Sequence, residues 1–345
     1  MPQGRFARLM STLMAIALLS ASTIAGAITP TVAWQRPGGG GGVFSADGTA
    51  VLVTTASGFE LDQVSDGALL ARLTLPASSL GYTSSGSSAD KRLIALALES
   101  DAVRRIELWS VTTGNLVRTI TTDATRTIRS VSVSNNFVAS MERFAYGGGG
   151  MLRVYRVSDG GLATKQGPYI SNSDCEVSFS PNGQFLALRD NRTMQGIRIL
   201  NSSNWSTALT VGNNAALLQW MADSASLWTY GSSTYKHPFQ QVSVPSGTVR
   251  RSVMVNDGLM IYESAVTPNS NFFLGSQIPS TSPGSPAGDV IEFLSTTKGS
   301  VRLTYKFPTP IVSSGAINPA GTLFTYTICI NGTDCTFYLA KMPTL

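Results

Sequence analysis

Histidine, cysteine and charge are all scarce in this chain of 345 residues, and each shortage excludes a kind of chemistry. His237 is the single histidine, there are three cysteines, and only 13% of the residues are charged. Zinc sites usually take two or more His or Cys ligands at fixed spacing, and a Ser-His-Asp triad would have to use His237 in a sequence without a G-x-S-x-G turn. We therefore expect no enzyme and no catalytic residue.

Two glycine runs lack the context of a phosphate-binding loop. Gly38–Gly42 and Gly147–Gly150 are not followed by the Lys-Ser/Thr pair of a P-loop, and neither opens a helix. Both are interpreted as flexible loops. No EF-hand pattern is present, although Ser171–Asp174 and Asp190–Asn191 carry the oxygen ligands that calcium prefers. We expect no cofactor, and calcium remains an alternative.

Runs of Lys or Arg are also missing, although 25 basic residues against 20 acidic ones give a net charge of +5. Nucleic-acid binding needs a clustered basic surface, so no nucleic-acid partner is expected. Ser, Thr, Asn and Gly supply most of the polarity, which suits a β protein outside the cytoplasm.

The only apolar stretch that approaches membrane length lies at the N-terminus. Arg5 and Arg8 precede the apolar segment Leu9–Leu19, and Ala25–Ala27 fits an A-x-A cleavage site. Residues 1–27 are therefore predicted to be a signal peptide, and residues 28–345 to be exported to the periplasm or the exterior without a transmembrane span. An uncleaved N-terminal anchor is the alternative.

A turn motif recurs seven times, 41 to 51 residues apart. Each copy is a short apolar strand, a Ser/Thr/Asn–Pro/Ala–Asp/Asn–Gly type of turn, and a second apolar strand; Asp, Asn and Gly tolerate the backbone angles that such turns need. The seven turns are Ser45–Gly48, Ser88–Lys91, Val133–Asn136, Ser180–Gly183, Met221–Ser224, Thr267–Ser270 and Asn318–Gly321.

A second turn follows each copy, most clearly between the strands Ile106–Val111 and Leu116–Ile120. Gly occupies this turn in five copies, and Asn204 is expected to take its place in the fourth because Asn tolerates a positive φ. Four short strands in about 45 residues are typical of a propeller blade. The sequence predicts an all-β, seven-bladed β-propeller of four-stranded antiparallel blades; a β-sandwich with evenly spaced turns is the alternative.

The seventh unit is too short to supply its own fourth strand. The segment Thr31–Trp34 precedes the first motif and provides a spare strand. We expect it to pair with the last blade and to close the ring of a monomeric propeller, because closure removes an open sheet edge.

Over roughly residues 30–345 the chain resembles the WD40-type propellers. Leu108–Ser110 lies where that family has its Trp-Asp pair, with Ser in place of the Asp, and no Gly-His pair occurs. The resemblance implies the propeller fold, and the family's Asp-His-Ser-Trp hydrogen-bond tetrad does not carry over. Fold resemblance of this kind says little about activity.

The cysteines fit an oxidising compartment. Cys329 and Cys335 flank a predicted hairpin turn, Ile330–Asp334, and we expect a cross-strand disulfide between them. Cys175 is left over and is interpreted as a buried free thiol.

The predicted function is a binding scaffold. The loops between second and third strands and between blades open on one face and differ strongly in length, as Ala56–Gly58 and Pro279–Asp289 show. Aromatic and Arg side chains often anchor partners on such surfaces. The candidate binding residues are Tyr82, Arg143, Tyr146, Arg192, Tyr235 and His237.

Three functions follow from this interpretation. The first is an exported, non-enzymatic scaffold that binds a protein or peptide through the irregular face. The second is a propeller enzyme or a binder of a small ligand (a carbohydrate, a lactone or a quinone cofactor) at the central channel. The third is a structural component of a surface layer or matrix.

Overall fold

The computed structural model describes residues 29–75, 81–100, 103–123, 125–144, 150–169, 176–189, 196–211, 215–231, 238–254, 261–277, 290–307, 312–330 and 334–345. Within these ranges every regular element is a β-strand, and the strands form seven four-stranded antiparallel sheets. The predicted seven-bladed propeller is therefore confirmed.

Each blade is a meander of neighbouring strands. Blades one and two contain β2 (Gly39–Phe44), β3 (Ala50–Thr55), β4 (Gly58–Gln63) and β5 (Leu69–Thr74), then β6 (Gly81–Ser87), β7 (Leu93–Glu99), β8 (Arg104–Ser110) and β9 (Leu116–Thr121). Blades three and four contain β10 (Arg126–Val133), β11 (Phe137–Phe144), β12 (Gly150–Arg156) and β13 (Leu162–Tyr169), then β14 (Val177–Phe179), β15 (Phe185–Arg189), β16 (Ile197–Asn201) and β17 (Thr207–Val211).

The remaining blades follow the same order until the last strand. Blades five and six contain β18 (Ala215–Trp220), β19 (Ser226–Gly231), β20 (Pro238–Ser243) and β21 (Val249–Met254), then β22 (Ile261–Val266), β23 (Phe272–Gln277), β24 (Val290–Ser295) and β25 (Val301–Lys306). Blade seven contains β26 (Val312–Ile317), β27 (Leu323–Ile330), β28 (Asp334–Lys341) and the N-terminal strand β1 (Val32–Pro37).

The N-terminal strand closes the ring, as predicted. β1 pairs antiparallel with β28, and the backbone N–H of Lys341 donates to the carbonyl of Thr31 at 2.9 Å. The strand runs three residues beyond the predicted end at Trp34. The outermost strand of blade seven is thus supplied by a segment about 300 residues earlier in the sequence, and the fold joins both ends of the described chain.

The interpretation of Gly38–Gly42 as a flexible loop was wrong. Gly39–Gly42 form most of β2, the innermost strand of blade one. A side chain on Gly42 would overlap the ring of Phe337, and a Cβ on Gly39 would lie 2.9 Å from Val53. The absence of side chains lets this strand approach blade seven closely, which is a role for glycine that local sequence does not reveal.

Hydrogen bonds explain the residues of the first turn motif. Ser45 Oγ donates to Asp47 Oδ1 at 2.6 Å and accepts the N–H of Ala50 at 3.0 Å. Equivalent bonds start from Ser88, Ser180 and Thr267. The fourth turn residue has a positive φ in six blades, at Gly48, Lys91, Gly183, Ser224, Ser270 and Gly321. A hydroxyl, an acceptor and a left-handed residue are thus needed at fixed positions.

The second turn needs one left-handed residue as well, and in blade four that residue is Trp205. Its φ is 59°, whereas Gly67 and Gly114 have φ of 72° and 69° at the equivalent position. The expectation for Asn204 was wrong by one residue: its side chain accepts the N–H of Ser206 instead. Trp205 packs edge-on against Phe137 of blade three, with ring centroids 4.9 Å apart. This packing offsets the strain of a bulky left-handed residue.

Among the described residues, the hydrophobic core is divided into seven clusters, one between each pair of neighbouring blades. Between blades one and two, for example, Leu73 packs with Ile94 and Leu96. Between blades seven and one, Phe337 packs with Val51. Each such side chain contributes about 1.5–3 kcal/mol on burial, and the ring is stable because every blade shares two clusters.

Candidate functional site: the two ends of the blades

The two ends of the blades differ in how regular their connections are. Because neighbouring strands are antiparallel, the first-to-second and third-to-fourth connections leave from one end, the turn end, and the second-to-third and interblade connections leave from the other, the loop end. First-to-second connections have five residues in every blade except blade three, which has three, and the six third-to-fourth connections all have five. At the loop end, the second-to-third connections range from two residues (56–57) to twelve (278–289).

Contacts between neighbouring blades hold the turn end in place. The N–H of Ala46 donates to the carbonyl of Ala89 at 2.8 Å, and the N–H of Asn182 donates to Ser224 Oγ at 3.0 Å. A Cβ on Gly48 would lie 3.2 Å from Pro319 in the turn of blade seven. These turns touch one another around the ring, so their lengths and residues are constrained by the fold.

Side-chain hydrogen bonds also join the innermost strands of neighbouring blades. The edge of each innermost strand that is not paired within its own sheet faces the channel. Ser84 Oγ accepts the N–H of Val131 at 3.3 Å, and Ser132 Oγ accepts the N–H of Phe179 at 3.0 Å. Gln219 Oε1 does the same for Val266 at 2.8 Å. Backbone groups of one blade are therefore satisfied by side chains of the preceding blade.

A cavity of about 450 Å³ occupies the channel at the turn end. Val43, Val133, Met221 and Ile317 are among its apolar lining residues. Among the described residues that line it, Lys91 is the only one with an ionisable side chain. A site of this size is large enough for a small ligand.

The predicted binding residues belong to the loop end, and the structure describes the side chain of one of them. Arg143 is the penultimate residue of β11, and its Nε is buried without a hydrogen-bond partner among the described residues. Tyr82 lies in β6, opposite Leu98, but its side chain is outside the described part. The other four predicted residues, Tyr146, Arg192, Tyr235 and His237, also lie outside the described residues.

A charged cluster near Arg143 was missed by the sequence analysis. It lies at the loop end of blades two and three, where Arg104 is 3.8 Å from Glu99 and Arg126 is 3.3 Å from Asp123. Glu99 also accepts the N–H of Ile128. With Glu142 and Arg153, its members come from five strands and one connection, and no spacing in the sequence unites them.

The buried part of this cluster is centred on Glu142. Arg153 Nε lies 3.3 Å from Glu142 Oε2, and Ser140 and Tyr155 donate to Glu142 Oε1 at 3.1 and 3.3 Å. Burial raises the pKa of Glu142, and burial together with the Glu142 charge raises the pKa of Tyr155 to about 12. At the solvent edge, hydrogen bonds from Thr125 lower the pKa of Asp123 to about 2. The cluster anchors blade three where the loop end begins.

The part of the chain that the structure describes lacks the features of a metal cluster and of a membrane-spanning helix. It holds no group of three or more His, Cys, Asp or Glu side chains placed to bind a metal ion. It also contains no helix of the length and apolarity that a membrane span requires. The calcium candidates Ser171–Asp174 and Asp190–Asn191 lie outside the described residues.

The expected disulfide is present. Cys329 of β27 and Cys335 of β28 are directly opposite in register, with Cα atoms 3.9 Å apart, and their sulfur atoms are bonded. The bond sits at the loop end of blade seven. Cys175 lies outside the described residues.

Comparisons with known proteins reveal the fold and no family. No protein-family model matches the chain, and no curated protein matches it. A chain of a structure entitled "Crystal Structure of Mitotic Checkpoint Complex" is similar with a TM-score of 0.62 and 15% identity, covering 92% of this chain and 94% of that chain. The β-propeller domain of Myceliophteria thermophila Cps50 (Swd1) is similar with a TM-score of 0.62 and 12% identity, covering 90% and 100%.

These similarities confirm the WD40-like propeller fold that the sequence predicts. As many as 1281 chains of solved structures match, so the fold is too widely shared to choose a function. The two ends of the blades are therefore the features that can distinguish one function from another.

Proposed function

We propose that this chain is a non-enzymatic scaffold that binds a protein or peptide at its loop end. The observation that carries the proposal is the contrast in connection length, which is nearly constant at the turn end and ranges from two to twelve residues among the second-to-third connections. Connections that the fold does not constrain are where binding residues accumulate, because they vary without disturbing the frame.

Two further observations support a partner at this end. Arg143 lies near the loop end of β11 with a partly exposed side chain and forms no ion pair among the described residues, so its guanidinium can receive an acceptor from a partner. One structural neighbour comes from a complex, as its title states. Tyr82, Tyr146, Arg192, Tyr235 and His237 belong to the same surface in this proposal, as aromatic and cationic anchors.

Export is the second part of the proposal. Residues 1–27 have the sequence of a signal peptide, and the bond between Cys329 and Cys335 suits an oxidising compartment, the periplasm or the exterior. N-terminal sequencing of the protein from its native host tests this directly. A mature chain that starts at residue 28 supports export, and a chain that retains Met1 in the cytosolic fraction contradicts it.

The binding experiment uses the whole chain, tagged at its C-terminus and made in its own host. The protein is captured from envelope and culture-fluid extracts, and co-purifying proteins are identified by mass spectrometry. The loop-end variants are a replacement of residues 279–289 by a short Gly-Ser linker and the double variant Tyr146→Ala/Arg192→Ala. Ser203→Ala, on the exposed turn end, is the control.

We expect one dominant partner that the loop-end variants lose and that Ser203→Ala retains. Equal capture by all variants contradicts a loop-end site. Capture of no partner under gentle conditions contradicts the scaffold proposal.

The channel cavity favours a second function, in which the propeller binds a small ligand. Its volume of about 450 Å³ lies in the range of ligand sites. A carbohydrate, a lactone or a quinone cofactor in the channel belongs to this alternative. Thermal-shift screening against these classes tests it, and unchanged melting temperatures contradict it.

A further inference from the structure

Lys91 places an ammonium group in the wall of the channel cavity. The residue ends the first turn of blade two, and its Nζ donates to Ser87 Oγ at 2.9 Å at the end of β6. Both residues line the cavity. Among the described residues this is the only hydrogen bond of Nζ, and no carboxylate lies within 4.0 Å of it. Two of its three hydrogens remain available for a ligand.

The backbone of Lys91 is strained. Its φ is 61°, in the left-handed region, where the equivalent residues of blades one, four and seven are Gly48, Gly183 and Gly321. A left-handed conformation costs a non-glycine residue about 1–2 kcal/mol. Blades five and six carry Ser224 and Ser270 at this position, with φ of 56° and 57°, so the turn accepts a short non-glycine residue. Among these six left-handed turns, only blade two keeps a long cationic side chain at this cost, which points to a function for that side chain.

The charge of Lys91 is poorly compensated. Desolvation in the cavity wall lowers the pKa of Lys91 to about 8, with Asp90 acting in the opposite direction. Asp90 is already engaged, because its Oδ1 accepts the Ser88 hydroxyl and the N–H of Arg92. No other ionisable side chain occurs among the described lining residues. A bound anion would favour the charged ammonium and remove part of this penalty.

We propose that the turn-end cavity binds a small monocarboxylate through Lys91 and Ser87. The ammonium supplies one charge-assisted hydrogen bond to the carboxylate. Ser87 Oγ accepts from Nζ, so its own hydrogen is free to donate to the second carboxylate oxygen. A single cationic group matches a single negative charge.

The apolar walls of the cavity indicate which group the bound carboxylate can carry. Val43, Val133, Met221 and Ile317 present apolar atoms, and the volume is about 450 Å³. A short aliphatic chain or one aromatic ring attached to the carboxylate fits these walls. This site lies at the opposite end of the channel from the proposed partner surface. A negative result for one of the two sites therefore does not contradict the other.

The test uses the whole purified chain and two fluorinated probes, 4-fluorobenzoate and 4,4,4-trifluorobutyrate, followed by ¹⁹F NMR at pH 7. We expect saturable binding of at least one probe, and no binding of the neutral 4-fluorobenzyl alcohol. Lys91→Gln should weaken binding by about tenfold or more, because it removes the charge-assisted bond, whereas Lys91→Arg should keep most of it. The exposed Lys165→Gln is the matched control and should bind as the wild type does.

A second measurement on the wild-type protein covers the case in which Lys91→Gln fails to fold. Acetylation of each lysine by acetic anhydride is measured by peptide mass spectrometry with and without the bound probe. Selective protection of Lys91 supports the site, and binding should fall as the pH rises above about 8.

Four results overturn the proposal: no binding of either probe at millimolar concentration, equal binding by Lys91→Gln, equal binding of the neutral alcohol, or unchanged acetylation of Lys91. Displacement of the probe by inorganic phosphate at a lower concentration than by acetate also overturns it, in favour of a phosphate site.

Discussion

The connections at the turn end and at the loop end join the same four strands of each blade, yet their lengths are constrained differently. At the turn end, Ser45 and Asp47 hold one turn together, and the N–H of Ala46 bonds to the next turn at Ala89. At the loop end, connections of two and of twelve residues join equivalent strands. The difference indicates that contacts between neighbouring blades set the length of a connection, and that connections free of this constraint diverge.

Ring closure depends on the two strands that meet between blades seven and one. β1 and β2 follow one another through Gly38 alone, and they place Trp34 against Gly67 and Gly42 against Phe337. Stability should therefore depend on these closing strands and on the turns, and binding on the variable connections of the loop end.

Deletion of residues 28–36 should have the largest effect on stability. It removes β1, exposes the edge of β28 and opens the cluster around Phe337. We expect aggregation or a large fall in melting temperature, measured by circular dichroism and light scattering. An unchanged melting temperature would show that the ring does not depend on closure by this strand.

Gly42→Ala should destabilise the protein by about 1–3 kcal/mol, because its Cβ would overlap the Phe337 ring. The matched control is Gly41→Ala, whose Cβ has open space around it in the same strand. Urea unfolding measures both. Equal losses for the two variants would mean that the close approach to Phe337 does not matter.

The double variant Cys329→Ser/Cys335→Ser should lower the free energy of unfolding by roughly 2 kcal/mol. The disulfide closes a short loop, with a sequence separation of 6, and so limits the conformational entropy of the unfolded chain. The effect is on the loop end of blade seven, so capture of the partner should weaken along with stability. Urea unfolding with and without a reducing agent measures the loss. A wild-type protein that is insensitive to reduction would contradict the prediction.

Gly67→Ala and Gly114→Ala compare two equivalent turns. Both glycines have a φ near +70°, so each change should cost about 1–2 kcal/mol. Gly67→Ala should lower the free energy of unfolding more than Gly114→Ala. A Cβ on Gly67 would lie 2.9 Å from Trp34, whereas a Cβ on Gly114 would meet only the Arg72 carbonyl at 3.7 Å. Thermal unfolding that ranks Gly114→Ala as the worse variant would contradict the importance of the Trp34 contact.

Asp123→Asn should have the smallest effect, visible only in acid. The folded pKa of Asp123 is lowered to about 2 from the model-peptide value of 3.8, so its ionisation stabilises the fold above that ordinary value and this contribution is lost as the pH falls toward 2. The variant should show a shallower loss of stability between pH 4 and 2. Parallel acid-denaturation curves would contradict the role of Asp123.

The sequence predicts the regular part of the molecule well, and physical reasons explain why. Four of the seven turns use a hydroxyl and an acceptor at set positions, and six have a left-handed residue, which leaves a readable pattern from Ser45 to Gly321. The spare strand at Thr31–Trp34 was predicted correctly because blade seven is visibly incomplete.

Long-range packing explains what the sequence left hidden. The strand formed by Gly39–Gly42 depends on Phe337, which lies almost 300 residues away. Trp205 takes a left-handed conformation because Phe137 of the neighbouring blade supports it. Lys91 and the charges around Glu142 acquire their roles from neighbours that only the folded ring brings together.

Hydrogen–deuterium exchange of the chain with and without its captured partner shows which end of the blades the partner covers. We expect slower exchange in peptides that contain the loop-end connections 145–149, 190–196, 232–237 and 278–289. Exchange at the turns 45–48, 180–183 and 318–321 should not change. Protection confined to those turns, with the loop end unaffected, would contradict a loop-end binding site.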